Sequence, residues 1–101
     1  MSNLSITEFE RQVHGPSGTV IPVGMQHGET IQNVSYTTVS TQSAAFGATT
    51  KFVRIVADVD TRILFGANPT ALASASVLMA AGSSEYFGVI PGDKVAAITA
   101  I

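Results

Sequence analysis

The chain has 101 residues, of which 46% are hydrophobic and 12% are charged. This is the length of one domain, with about half the charge of an average soluble domain (roughly 25%). A net charge of −2 with five Lys and Arg gives no basic footprint for nucleic acid. So high an apolar content excludes an intrinsically disordered chain. With no Cys there is no disulfide framework, thiolate metal site or cysteine nucleophile.

In chain order, residues 1–13 read as an N-terminal arm or as a first strand, and residues 14–101 as one β-sandwich domain. The opening lacks the basic and continuous apolar regions of a signal peptide. Residues 5–13 alternate, with Ile6 and Glu8 on one face and Thr7 and Phe9 on the other. Residues 19–23 form a short run, which Pro22 confines to an edge or a bulge. Residues 30–41 form a long Thr- and Val-rich strand. The clearest strand is 51–59, with Val53, Ile55, Ala57 and Val59 on one face and Phe52, Arg54, Val56 and Asp58 on the other. Residues 62–66 follow closely enough for a hairpin. Further runs cover 76–80, 85–89 and 95–99, separated by Gly82-Ser83-Ser84 and Pro91-Gly92-Asp93, both of them turn chemistry.

Two readings compete at 70–81. Asn68-Pro69 can start a helix and Gly82 can end one. A loop followed by a strand is preferred, because Ala73-Ser74-Ala75-Ser76 alternates with period two and Ser competes with helical hydrogen bonds. The uncharged stretch 66–84 is too interrupted by Asn, Pro and Ser to be a membrane span. The sum is an all-β chain of seven or eight short strands, expected to form an antiparallel β-sandwich, of which a jelly roll is one form. Such a fold leaves sheet edges open, with few charges to protect them.

No catalytic constellation stands out, so the chain is expected not to be an enzyme and to carry no metal or cofactor. His14 and His27 are thirteen positions apart, outside the usual spacing of zinc ligands. Asp58 and Asp60 lack the oxygen-rich, Gly-centred loop of a calcium site. Glu8 and Glu10 resemble a carboxylate pair without a cleft. Gly15-Pro16-Ser17-Gly18 is not a nucleophile elbow. Asn33-Val34-Ser35 matches a glycosylation acceptor formally and reads as chance. The adjacent pairs Phe52–Val53 and Tyr86–Phe87 each send one side chain outward from a strand, which makes Phe52 and Tyr86 candidate anchors for a contact. The full candidate interface set is Phe9, Phe52, Arg54, Arg62, Asn68, Pro69, Thr70 and Tyr86.

The segments 46–55, 63–71, 79–89 and 91–98, with the opening Leu4-Ser5-Ile6-Thr7-Glu8-Phe9, resemble a family of short proteins encoded among the virion genes of tailed bacteriophages. The resemblance covers residues 44–99 well and 1–43 loosely, and its motifs are those of a scaffold. It implies a structural virion protein assembled in the host cytoplasm. By analogy of size and class, it implies a capsid decoration, or cement, protein on the capsid exterior. The implied partners are the major capsid protein and further copies of the chain itself, a trimer being favoured, with no nucleic acid and no membrane. Two alternatives stand beside it: a head–tail connector, tail or fibre-base component, and a small carbohydrate- or host-binding β-sandwich.

Overall fold

The computed structural model describes residues 2–10, 12–14, 20–24 and 30–101, with backbone alone for 12–14 and 20–24. Ten strands occur among them: β1 (Ser2–Phe9), β2 (Gln12–His14), β3 (Val20–Gly24), β4 (Thr30–Tyr36), β5 (Thr41–Gln42), β6 (Phe52–Ala57), β7 (Thr61–Gly66), β8 (Val77–Met79), β9 (Ser84–Gly88) and β10 (Lys94–Thr99). They form one sheet of order β4-β1-β6-β9, a second of order β5-β10-β7-β8 and a two-stranded ribbon β2-β3. Every pairing is antiparallel. The all-β antiparallel sandwich expected from the sequence is the fold observed.

The core is the contact between the two four-stranded sheets. Period-two alternation puts Val53, Ile55 and Ala57 of β6 inward, all fully buried, while Phe52, Arg54 and Val56 stay half-buried on the outer face. Leu4, Ile6, Val34 and Tyr36 join them from β1 and β4, opposed by Ile63, Met79, Val95 and Ala97 of the other sheet, with Phe46 between. Each buried Ile or Leu contributes about 1.5–3 kcal/mol. The strand pairs β7–β8, β6–β9 and β5–β10 nest one inside the next around residues 67–76. The chain from 41 to 99 is therefore one antiparallel ribbon folded across both sheets, and β1 pairs with β4 at its open end.

Three expectations are refined by this arrangement. The run 5–13 is not one strand: β1 stops at Phe9, and the chain bends at Glu10 before β2. The run 30–41 ends at Tyr36, because the Thr37 carbonyl accepts from the Thr99 backbone N–H at 3.0 Å and so ties the chain to the opposite sheet. The proposed hairpin after Asp58 is instead a corner. β6 and β7 lie in different sheets, since Ala57 and Thr61 are both buried against the same core. Asp58 accepts from the Asn3 backbone N–H at 2.9 Å and Asp60 from that of Ala81 at 2.8 Å, which fixes the corner.

Residues 67–76 form a loop and only Val77–Met79 a strand, as the preferred reading has it. The reason is packing: Ala71 and Ala73 sit on Ala96 and Ile98 of β10, on the outer face of the second sheet. The small side chains let the backbone come close, and the Ser40 and Ser76 hydroxyls take the Ala71 and Leu72 N–H groups at 2.9 and 2.8 Å that a helix would have used. Gly82 and Gly92 have φ of +74° and +88°, the left-handed turn positions where Gly has no steric cost.

Within the core, the Tyr36 hydroxyl meets the Thr61 hydroxyl, which also donates to the Val59 carbonyl at 2.8 Å. Burial pushes the Tyr36 phenol above the ordinary tyrosine value; the Thr61 hydrogen bond opposes this and the negative charge of Asp58 adds to it. The folded chain thus holds this proton to higher pH than the unfolded chain. Stability from this group is fully present below about pH 10 and is lost as pH rises through the folded value. Urea titrations between pH 8 and 11 on a Tyr86→Phe background should show that decline, and adding Tyr36→Phe should flatten it.

Candidate interaction surface

Cross-strand register sets what each sheet shows to the outside. In the first sheet, Tyr86, Arg54, Thr7 and Ile31 form one row across four strands. Above them, Phe9 and Phe52 lie opposite each other and stack with centroids 5.2 Å apart and planes at 19°. Tyr86 completes the cluster at 5.9 Å from Phe52 and 6.1 Å from Phe9. The three rings are a rigid unit on the outer face, and Tyr86, 43% exposed, is its open member. Arg54 is the one charged residue in the outer-face rows of this sheet.

The outer face of the second sheet carries Arg62 and Lys94 as its charges, with Leu64, Leu78 and the loop residue Leu72 exposed around them. Arg62 donates through Nη1 to the Ser76 carbonyl at 2.9 Å, and its Nε is buried without a partner among the described residues. Asn68 and the Pro69 carbonyl both accept from Gln42 Nε2 at 2.8 Å; Pro69 is buried and Thr70 exposed.

The eight candidates therefore do not converge. Phe9, Phe52, Arg54 and Tyr86 share the outer face of the first sheet; Arg62, Asn68, Pro69 and Thr70 belong to the second. Phe9 is 1% exposed, so it supports the other rings and offers no surface of its own. The sequence reading missed Ile31, exposed at the end of the Arg54 row. It also missed Leu72 and Leu78 beside Arg62. For Ile31 and Leu78 the signal was an apolar side chain on an outward parity, legible only once the pairing is known; Leu72, in the loop, has no such signal.

Glu8, paired in sequence with Glu10, has a different role. Its side chain points into the sandwich and is 3% exposed. Oε1 accepts from the Gly47 backbone N–H and the Thr50 hydroxyl, both at 2.8 Å, and Oε2 from Gln32 Nε2 at 2.9 Å. Gln32 in turn accepts from the Ala44 N–H at 2.9 Å. The carboxylate is an anchor for the segment that crosses between sheets. Glu10 is exposed and accepts from the Thr49 hydroxyl. Among the described residues no group of three or more His, Asp or Glu could hold a metal ion. The His14 side chain, His27 and Gly15-Pro16-Ser17-Gly18 lie outside the described residues.

No family model, curated protein or solved structure matches the chain.

Removing the Glu8 carboxylate would leave the buried Thr50 hydroxyl without its acceptor and release the part-buried Gly47 N–H and Gln32 amide. Glu8→Ala should lower the unfolding free energy by about 3 kcal/mol, read as a shift of the urea midpoint. Glu10→Ala should stay within about 0.5 kcal/mol of the parent.

Proposed function

We propose that this chain is a structural virion protein, and within that class a capsid decoration protein that binds the outer capsid lattice and stabilises it. The observation that carries the reading is the outer face of the first sheet. There an exposed Tyr86 is backed by Phe52 and Phe9, and its cross-strand neighbour Arg54 is the one charge in the outer-face rows. Rigid aromatic anchors beside Arg are the chemistry of protein contacts, and a sheet holds them without ordering cost on binding. A carbohydrate platform would need open ring faces beside polar groups; here Phe9 and Phe52 are stacked on each other.

The nested ribbon supports the finer fold reading as well: a jelly roll in which β1 takes the place of the closing strand beside β4. On a shell, each copy would bury apolar area across subunit boundaries. Binding the assembled lattice and not its free subunits would stabilise the lattice by mass action, with many symmetric copies adding avidity.

On purified particles that contain the chain, quantitative mass spectrometry should give a copy number matching a capsid symmetry. Six or twelve copies would favour the connector or tail alternative. Particles lacking the chain should form but lose heat resistance. Tyr86→Asp should weaken particle binding by at least about tenfold while the isolated chain still unfolds cooperatively, its thermal midpoint lowered only by the lost ring contacts.

A further inference from the structure

The two sheets treat their edges differently. The second sheet ends in β5 and β8, two and three residues long, and short edges resist strand addition. The first ends in β4 and β9, seven and five residues long. Neither contains Pro or Lys, and β4 has no charge at all. β4 is thus a long edge without the usual protection, and β9 is one protected by Glu85 alone.

Hydrogen-bond alternation identifies which main-chain groups they leave open. Val89 N–H donates to the Lys51 carbonyl at 3.1 Å, in register with the Phe52–Gly88 pair. Phe87 and Glu85 therefore turn their N–H and C=O toward β6, and Ser84, Tyr86 and Gly88 turn theirs away. On the other side, Asp58 N–H donates to the Asn3 carbonyl at 3.3 Å. That parity leaves Ser2, Leu4, Ile6 and Glu8 bonded to β4, with Ile31, Asn33 and Ser35 facing away. Among the described residues no strand lies beyond either edge.

We infer that copies of this chain assemble head to tail through these edges, β9 of one copy pairing antiparallel with β4 of the next to extend the first sheet across the boundary. Three observations select this arrangement. Four alternating strands leave β4 and β9 antiparallel to each other, so rotation about an axis along the strands brings them together in the correct sense. The outward main-chain groups on both edges belong to residues whose side chains lie on the same outer face, so the face that carries Tyr86, Arg54 and Ile31 continues unbroken from copy to copy. Electrostatics opposes one two-fold alternative, since pairing β9 with another β9 puts two Glu85 side chains opposite or diagonal on one face whereas β4 offers Glu85 no like charge. The other, β4 with β4, is separated by the variants below, because it would leave Tyr86→Pro dimeric. The contact is heterologous, and it closes when the rotation closes. This deepens the proposed virion role without depending on it, since assembly is measured on the free chain and lattice binding on particles.

Light scattering coupled to gel filtration tests it. The wild-type chain should run at a multiple of its 10.4 kDa mass. Tyr86→Pro removes an outward N–H, a change edge strands tolerate, together with the ring that packs on Phe52 and Phe9, and should run as a monomer. Tyr86→Ala, which loses the ring and keeps the N–H, should still assemble; Asn33→Pro should run as a monomer through the other edge. An equimolar mixture of the two should form a species of two chains and no larger, because one intact β9 meets one intact β4. If Asn33→Pro alone still dimerises, or the wild type is monomeric up to millimolar concentration, the inference fails. Amide exchange on the wild-type chain covers the case of a variant that does not fold. Ser84, Tyr86, Gly88, Ile31, Asn33 and Ser35 should all gain protection on going from dilute to concentrated solution, and unchanged fast exchange at both edges would overturn the pairing.

Discussion

The sandwich depends on how the chain passes from one sheet to the other at residues 43–50, and a single buried carboxylate governs that passage. Glu8 sits on a strand paired on both sides, so its position is fixed by the sheet. From there it takes the part-buried Gly47 N–H and the buried Thr50 hydroxyl, and so ties the crossing segment to the sheet. Carboxyl oxygens so deep are costly without partners; the Gly47 N–H, the Thr50 hydroxyl and the Gln32 amide stand in for water. Gly47 fits the arrangement closely, since a Cβ there would meet the Thr50 hydroxyl at 3.2 Å. Polar anchoring of this kind fixes geometry as much as it adds stability. It determines where β6 enters the first sheet, and with it the row that carries Phe52 and Arg54.

The same crossing explains why the two outer faces differ. The second sheet is partly covered by the chain's own loop, where alanines meet alanine and isoleucine across β10. The first has no such cover among the described residues, and its exposed ring is braced by two others. Carboxylates of the described residues occupy the interior, the corners and the rims, while the outer-face rows hold Arg54, Arg62 and Lys94 as their only charges. A chain with net charge −2 thus keeps carboxylates out of its outer-face rows, which in the first sheet mix neutral polar side chains such as Asn3, Ser5, Thr7, Asn33 and Ser35 with the aromatic cluster and Arg54.

Much of this was legible in the sequence wherever the information is local. Alternation in 52–57 declared both faces of β6, and Gly82 and Gly92 marked turns that need positive φ. What was not legible depends on partners distant along the chain. Glu8 and Glu10 look alike two positions apart, yet the donors that bury one of them come from residues 32, 47 and 50. Phe9 and Phe52 both read as outward rings, and each is covered by the other. The run 62–66 reads as the return strand of a hairpin, but the segment before it is a corner, held by Asp58 and Asp60 accepting from distant backbone N–H groups, which puts Arg54 and Arg62 on the outer faces of different sheets. The Ala-rich stretch 71–75 has the propensity of a helix; tertiary contact with β10 overrides it.

Edge exposure also follows from topology. Each sheet has an even number of strands, so its two terminal strands run in opposite directions and their unpaired groups fall on rows of the same face. The second sheet suppresses the consequence by making its terminal strands two and three residues long. The first cannot, because β4 must be long enough to close β1 and thereby bury Leu4, Ile6 and Glu8, and β9 must be long enough to carry Tyr86 and Phe87 to opposite faces of the sheet. Phe87 is needed inside, where it packs against Phe65 at 5.1 Å. The strand length that completes the core is therefore the same length that leaves two complementary edges open, and a monomer could shorten either edge only by giving up part of its interior.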